Sequence, residues 1–363
     1  MTAQTQLLAP FDPGAAERRA SIAGWLARAV AFAPVLLLVL WLPSRSGDWT
    51  NDAIFAAIYA MVGLSMNVLV GYTGQISLGH AAFLAVGAYT EALMQAAGVP
   101  FVISIACSAL FAGIAGIIVG LPALRLKGIY LAISTLAFNV IVEEIITRWE
   151  SLTGGNSGKH LKPVELFGIK LDTDADFYYL CLALTVLCGL ACVNLLRSPT
   201  GRAFVAIRDS EISASCLGVH LARYKTMSFA FSAALTGVGG ALYAHKLAFI
   251  SPEQFSLLVS IELVTIVILG GIGFLHGAVL GSVFLIVLPQ LIAIAKDFLP
   301  SGQVPTGLQA VVFGLILILF IIFEPLGLYG RWLKVRTWFQ LFPFYRKGMF
   351  RRQKSYMKSE RLR

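Results

Sequence analysis

The chain has 363 residues, of which 58% are hydrophobic and only 13% charged, with a formal net charge of +9. Its mean hydropathy is +0.79, and a soluble domain of this size needs far more charge to cover its surface. The positive balance does not point to nucleic acid: eleven of the 28 Lys and Arg residues lie from Arg331 to Arg363, directly after an apolar span, where basic residues meet anionic headgroups.

Apolar residues come in blocks of about 17 to 24, the length a helix needs to cross the hydrocarbon of a bilayer. The expected fold is all-α, a polytopic membrane protein with about ten transmembrane helices. In chain order these fall near 25–42, 52–70, 77–97, 101–121, 129–147, 177–196, 226–246, 256–270, 273–295 and 305–325. Residues 1–24 read as an N-terminal tail, 25–330 as the membrane domain, and 331–363 as a basic tail. No A-x-A-like cleavage site follows the first apolar run, so it reads as a retained helix.

Loop charge orients the chain. Arg18 and Arg19, then Arg125 and Lys127, then five basic residues between Arg197 and Lys225, and finally the tail all fall on one side if there are ten crossings. The opposite side receives 148–176, where acids outnumber bases. Both termini are then expected in the cytoplasm. The cysteines, Cys107, Cys181, Cys188, Cys192 and Cys216, have no metal or redox spacing.

The stretch Gly71-Tyr72-Thr73-Gly74-Gln75-Ile76-Ser77-Leu78-Gly79-His80 interrupts two apolar runs. Its glycines weaken a continuous helix, and backbone freed in lipid must find partners. Two readings fit. It is either a broken element beside a translocation route, where Gln75, Ser77 and His80 bond freed backbone groups, or a tight turn with glycines for close packing. A second segment echoes it: Gly74, Ile76, His80 and Ala82 match Gly270, Ile272, His276 and Ala278 at one constant offset. That suggests a parallel internal repeat, and it brings Gly270, Gly271 and Ile272 into the candidate route. Among the acids inside spans (Glu91, Glu143, Glu144, Glu262), Glu262 lies deep enough for a functional or helix-pairing role.

The loop 197–225 is too regular for a simple connector. Asp209 or Ser210 can cap a helix, Glu211 suits its first turn, and Gly218 suits its end. A short helix of about two turns follows, carrying Ile212, Ala214 and Leu217 among charges. Such an element suits a groove on a partner or a lipid surface.

Catalytic chemistry finds no set of residues. Thr153-Gly154-Gly155-Asn156-Ser157-Gly158-Lys159-His160 is like a phosphate loop, but Thr stands first and His follows the Lys. No cofactor, metal or active site is expected in this chain.

Several segments together resemble one family. They are "GYTGQISLGHAAFLAVGAYTEALM", "LRLKGIYLAISTLAF", "LTGGNSG", "GRAFVAIRDSEISASCLGVHLARYK" and "SIELVTIVILGGIG". Their order and spacing over about 52–330 resemble permease subunits of branched-chain amino acid ABC importers, of the LivM type. The resemblance implies an ABC importer permease architecture in the bacterial inner membrane. It implies a second homologous permease, two cytoplasmic ATPases and a periplasmic amino-acid-binding protein as partners. It also implies that Gly201, Arg202, Ala206, Ile207, Arg208, Glu211, Ala214, Leu217 and Gly218 belong to the ATPase-docking segment. The chain departs from the pattern in "GGNSGKH", in Ser213 and Ser215 beside Ala214, and in its long basic tail. The alternatives are a urea or short-chain amide permease, an ion-driven carrier or passive channel, and a membrane enzyme.

Overall fold

The structure, a computed structural model, describes residues 47–341 except 125, 127, 167, 172, 298–307 and 325–326. The first expected span, 25–42, and most of the basic tail lie outside the described residues.

Helix α1 (Gly47–Asn67) runs into a five-residue π-helical turn, Val68–Tyr72. An extended break follows, and α2 (His80–Ala96) returns. Then come α3 (Phe101–Ala123), α4 (Ile129–Arg148) and the single turn α5 (Glu150–Thr153). Helix α6 (Asp174–Arg197) leads to two short helices, α7 (Pro199–Asp209) and α8 (Glu211–Cys216). The long α9 (Leu221–Leu247) is followed by α10 (Leu257–Gly270), α11 (Leu275–Asp297), α12 (Leu308–Phe323) and α13 (Gly327–Leu341). Seven stretches of 19 to 27 residues are long and apolar enough to cross a bilayer. Helix α2, at 17 residues, and α12, at 16, are shorter, so the count of ten is not reached on length and hydropathy among the described residues.

Several boundaries differ from the sequence reading by a few residues, two of them for a clear local reason. Helix α6 starts at Asp174 rather than 177, because Thr173 Oγ1 accepts from Asp176 N at 3.2 Å and two acids sit at the positive end of the helix. The loop 197–225 holds two helices where one was expected; Ser198-Pro199 supplies an extended N-cap and a proline at the first position, which starts α7. Helix α9 begins at Leu221, so Lys225 lies inside it. The line drawn at 330 also falls within α13. Glu324 meets Arg331 and Lys334 at 3.0 Å each and ties that helix to the end of α12.

Helix α9 is the centre of the bundle. It approaches α3 through small residues: a Cβ on Gly116 would lie 2.7 Å from Phe229 O, and one on Gly237 would lie 2.6 Å from Ser108 O. In lipid, helices associate by such backbone-close packing, because apolar side chains gain little by leaving a hydrocarbon solvent.

The 148–176 segment folds against the far end of α9. Strand β1 (Lys159–His160) pairs antiparallel with β4 (Phe249–Ile250), with Lys159 opposite Ile250. Strands β2 (Glu165–Leu166) and β3 (Ile169–Lys170) form a hairpin. These strands were not expected. Two-residue strands carry no readable alternation. Thr153 Oγ1 donates within this region to Ile146 O and accepts from Gly155 N, which ties the start of the glycine-rich loop to the end of α4.

Candidate functional site

The break at 73–79 lies at the same end of the bundle as α7, α8 and the 271–274 turn. Thr73, Gln75, Ser77 and His80 are all buried there, whereas Gly74 and Ile76 are exposed. Gly74 has φ +70°, which turns the chain and suits a residue without Cβ.

The buried polar groups find partners on one face of α9. Ser228, Ser232 and Thr236 recur every four residues and are fully buried. Gln75 Nε2 donates to Ser228 Oγ at 2.8 Å and to Thr73 Oγ1 at 3.0 Å. His80 Nε2 lies 2.9 Å from Ser232 Oγ, and its Nδ1 lies 3.1 Å from Ser77 Oγ. Ser232 Oγ gives its single hydrogen to Ser65 O at 2.9 Å. Ser232 must therefore accept from His80 Nε2–H, and the Ser77 hydroxyl, whose hydrogen has no other acceptor among the described residues, is satisfied by giving it to Nδ1. The network thus assigns a neutral imidazole. Ser65 Oγ and Thr236 Oγ1, 2.8 Å apart, extend the network one turn further.

This corrects one expectation. Gln75 and His80 bond side-chain hydroxyls, and of the three named residues only Ser77 reaches freed backbone, accepting from Gly79 N at 3.3 Å. The freed backbone is served by other residues. Thr73 Oγ1 donates to Leu69 O, Thr135 Oγ1 accepts from Leu78 N at 2.9 Å, and Ser260 Oγ accepts from Ala81 N at 3.0 Å. Gln75 Oε1 has no hydrogen-bond partner among the described residues. Turning the amide over would not help, since the hydroxyls of Ser228 and Thr73 already give their hydrogens to Lys225 O and Leu69 O.

The two echoing segments meet. Asn67 donates to Phe274 O at 2.7 Å and accepts from Gly273 N at 2.9 Å. A Cβ on Gly71 would lie 2.5 Å from Gly273 N, so the two chains touch backbone to backbone. Both segments have the form helix, break, helix. Ile76 and Ile272 are exposed and Ala82 and Ala278 are buried, but His80 is buried while His276 is exposed. Gly270 packs on Gly277, and Gly271 has φ +115° at the end of α10. Tyr72 packs beside Phe204 of α7 in a cluster with Val68 and Cys192. Glu262 does not join this site; its carboxylate lies 3.5 Å from Tyr59 Oη, in a separate cavity lined by Phe55, Leu285 and Gln290.

Helices α7 and α8 cap this end. Ser210 Oγ accepts from Ser213 N at 3.2 Å, and Gly218 has φ +83° at the end of α8. Gly201, Ile207 and Ala214 are buried against the bundle, and Ala206 and Glu211 are partly buried. Arg202 is exposed, and so are Ile212 and Leu217, at 71% and 82%. Glu211 meets Lys225 of α9 at 2.5 Å, with the Lys225 side chain only 3% exposed. Arg208 turns inward, and its Nη1 donates to Gly71 O at 3.1 Å.

The model of the family described as "Branched-chain amino acid transport system / permease component" matches residues 50–321. The chain belongs to this family. The high-affinity branched-chain amino acid transport system permease protein LivM of Escherichia coli K12 is 34% identical over 319 residues, covering 81% of this chain and 73% of that protein. LivH of the same organism, also a permease protein of that system, is 24% identical over 77% of this chain and 94% of its own. A probable LivM of Methanocaldococcus jannaschii is 26% identical over 76% and 91%. No solved structure matches the chain. With the apolar helices, membership makes this an integral membrane permease and not itself an enzyme.

The sequence reading missed a second buried polar group, Glu91 with Ser104 and His245. A lone acid in an apolar run was the only signal, and its partner lies 154 residues away.

Proposed function

We propose that this chain is a permease subunit of an ATP-driven importer that moves branched-chain amino acids across the bacterial inner membrane. The observation that carries the reading is the 34% identity to LivM across most of both chains. Likeness to LivH as well supports pairing with a second, homologous permease. Two cytoplasmic ATPases serve the permease pair, this chain docking one of them through the segment that presents Arg202, Ile212, Leu217 and Gly218, and a periplasmic binding protein delivers cargo at the opposite end. In this reading both termini are cytoplasmic, the chain itself holds no cofactor, and the residues at 71–80 and 270–272 flank the route. Exposure of Ile212 and Leu217 on a helix anchored by the Glu211–Lys225 pair supports a protein groove as the occupant.

The test is uptake by the host strain with and without this gene. Loss of leucine, isoleucine and valine uptake, restored by the gene, is the expected result. Loss of urea uptake in their place supports the amide-permease reading. Uptake that persists when ATP is depleted but the ion gradient is kept supports a carrier.

A further inference from the structure

A cavity of about 740 Å³ opens at the end of the bundle away from α7 and α8, between the α2–α3 turn, the 162–168 loop and the last turns of α9. Its wall is largely apolar, with Val99, Phe101, Val102, Ile103 and Val164. Glu91 and His245 also line it, with side chains only 1% and 2% exposed.

The bonding of Glu91 is one-sided. Oε1 accepts from Ser104 Oγ at 2.7 Å and lies 3.0 Å from His245 Nε2. His245 Nδ1 lies 3.1 Å from Lys162 O. That carbonyl can only accept, so Nδ1 carries a hydrogen, and Nε2 and Oε1 share the remaining proton. Gln95 clamps the same loop, donating to Lys162 O at 3.0 Å and accepting from Lys162 N at 2.8 Å. Oε2 of Glu91 is buried and has no hydrogen-bond partner among the described residues. A buried acceptor left empty is costly, and here it belongs to a residue that lines the cavity, with Oε2 itself showing almost no exposed surface until a ligand draws it out.

We propose that this cavity binds an aliphatic amino acid, with its α-ammonium on Glu91 Oε2 and its side chain on the apolar wall. An ammonium has only hydrogens to offer and Oε2 has only lone pairs. A hard metal cation needs about six oxygens, and among the described residues no group of three or more His, Cys, Asp or Glu side chains gathers to hold one. Lys162 is exposed at the rim, where its ammonium can meet the amino acid's carboxylate. Only the identity of the ligand rests on the importer reading; the need of Oε2 for a donor does not.

The experiment uses the full chain in lipid nanodiscs and measures binding of three probes. Leucine carries both charges, 3-methylbutan-1-amine only the ammonium, and 4-methylpentanoate only the carboxylate. Leucine and the amine are expected to bind, with the acid at least about tenfold weaker. Glu91→Gln is expected to weaken leucine and the amine about tenfold or more. If that variant fails to fold, Val102→Trp, which fills the cavity from its half-exposed rim, carries the test with the same expected loss. Undiminished binding by Val102→Trp or a folded Glu91→Gln, or acid binding as tight as amine binding, overturns the proposal. So does binding of the amine without leucine, which would fit a cationic side chain of a partner protein. Uptake by the assembled transporter separates the two readings. Leucine uptake with no probe bound removes the cavity and keeps the importer. Glu91-dependent binding of leucine and the amine without leucine uptake does the reverse.

Discussion

Arg208, the last basic residue of α7, donates from Nη1 to the carbonyl oxygen of Gly71 at 3.1 Å, while its Nη2 meets Asp209 at 3.0 Å. One guanidinium therefore joins a helix at the edge of the bundle to the end of the π-turn that follows α1. Gly71 itself lies against Gly273, so the guanidinium sits beside both breaks. Arg208→Met keeps the stem that packs beside Gly74 but removes both bonds. A hydrogen bond from a charged group contributes about 1.5–3 kcal/mol, so uptake should fall about tenfold with ATPase co-purification unchanged. Uptake at the wild-type level would show that this bond transmits nothing.

Helix α8 is held by the Glu211–Lys225 pair, which differs in burial at its two ends: Lys225 is 3% exposed and Glu211 24%. Glu211→Gln leaves the ammonium buried without its carboxylate, and losses of this kind cost on the order of 3 kcal/mol. Lys225→Met leaves a carboxylate that water can reach. The first variant should therefore melt several degrees lower than the second in the same detergent. Equal melting temperatures would mean that Lys225 finds another partner or water when Glu211 is gone.

Much of this arrangement could be read from the sequence because lipid permits few solutions. A run such as Phe101–Ala123 has to be a helix, and the glycines and polar residues of 71–80 had to mark an interruption. The cap at Ser210 stands where it was expected, and the unexpected one at Thr173 follows the same local rule. Helix α7 escaped notice because it is amphipathic, so no apolar block announces it, although Ser198-Pro199 did signal its start. The spacing of Ser228, Ser232 and Thr236 was also visible as a polar stripe on an otherwise apolar helix. That the stripe faces Gln75 and His80 was not, since those pairs lie 152 and 153 residues apart. Sequence period locates a face but not the face it meets.

Orientation in the membrane can be checked by labelling. Cys216 is exposed at the end of α8, so a cysteine-free background is required. In that background His160→Cys, at an exposed position on the 148–176 side, should react with an impermeant thiol reagent in intact cells. A cysteine replacing Phe350 in the basic tail should react only after lysis. Labelling at 350 in intact cells would reverse the assignment of both ends.

Gly79 is the tightest point between the break and α4. A Cβ there would lie 2.3 Å from Thr135 O, and Leu78 N already bonds the Thr135 hydroxyl. Gly79→Val must push the two backbones apart, and overpacking of this kind costs about 1–3 kcal/mol or more. Phe83→Leu one turn on removes buried volume without moving backbone. Expression and uptake should fall further in Gly79→Val than in Phe83→Leu, and the opposite order would mean that α4 yields easily at this contact.

His80 gives the sharpest test of what the break is for. Its two nitrogens are committed, one donating to Ser232 and one accepting from Ser77, which fixes the ring in its neutral form. His80→Ala leaves a hole and two buried hydroxyls short of a partner, at a cost of about 2–4 kcal/mol. Uptake should drop, yet its dependence on pH between 6 and 8 should keep the wild-type shape, because a ring that stays neutral carries no proton through the cycle. His80→Gln, whose amide can both donate and accept, should recover part of the loss. Wild-type uptake by His80→Ala would show that the network is dispensable. A flattened pH profile in that variant would make His80 a proton carrier and overturn the neutral assignment.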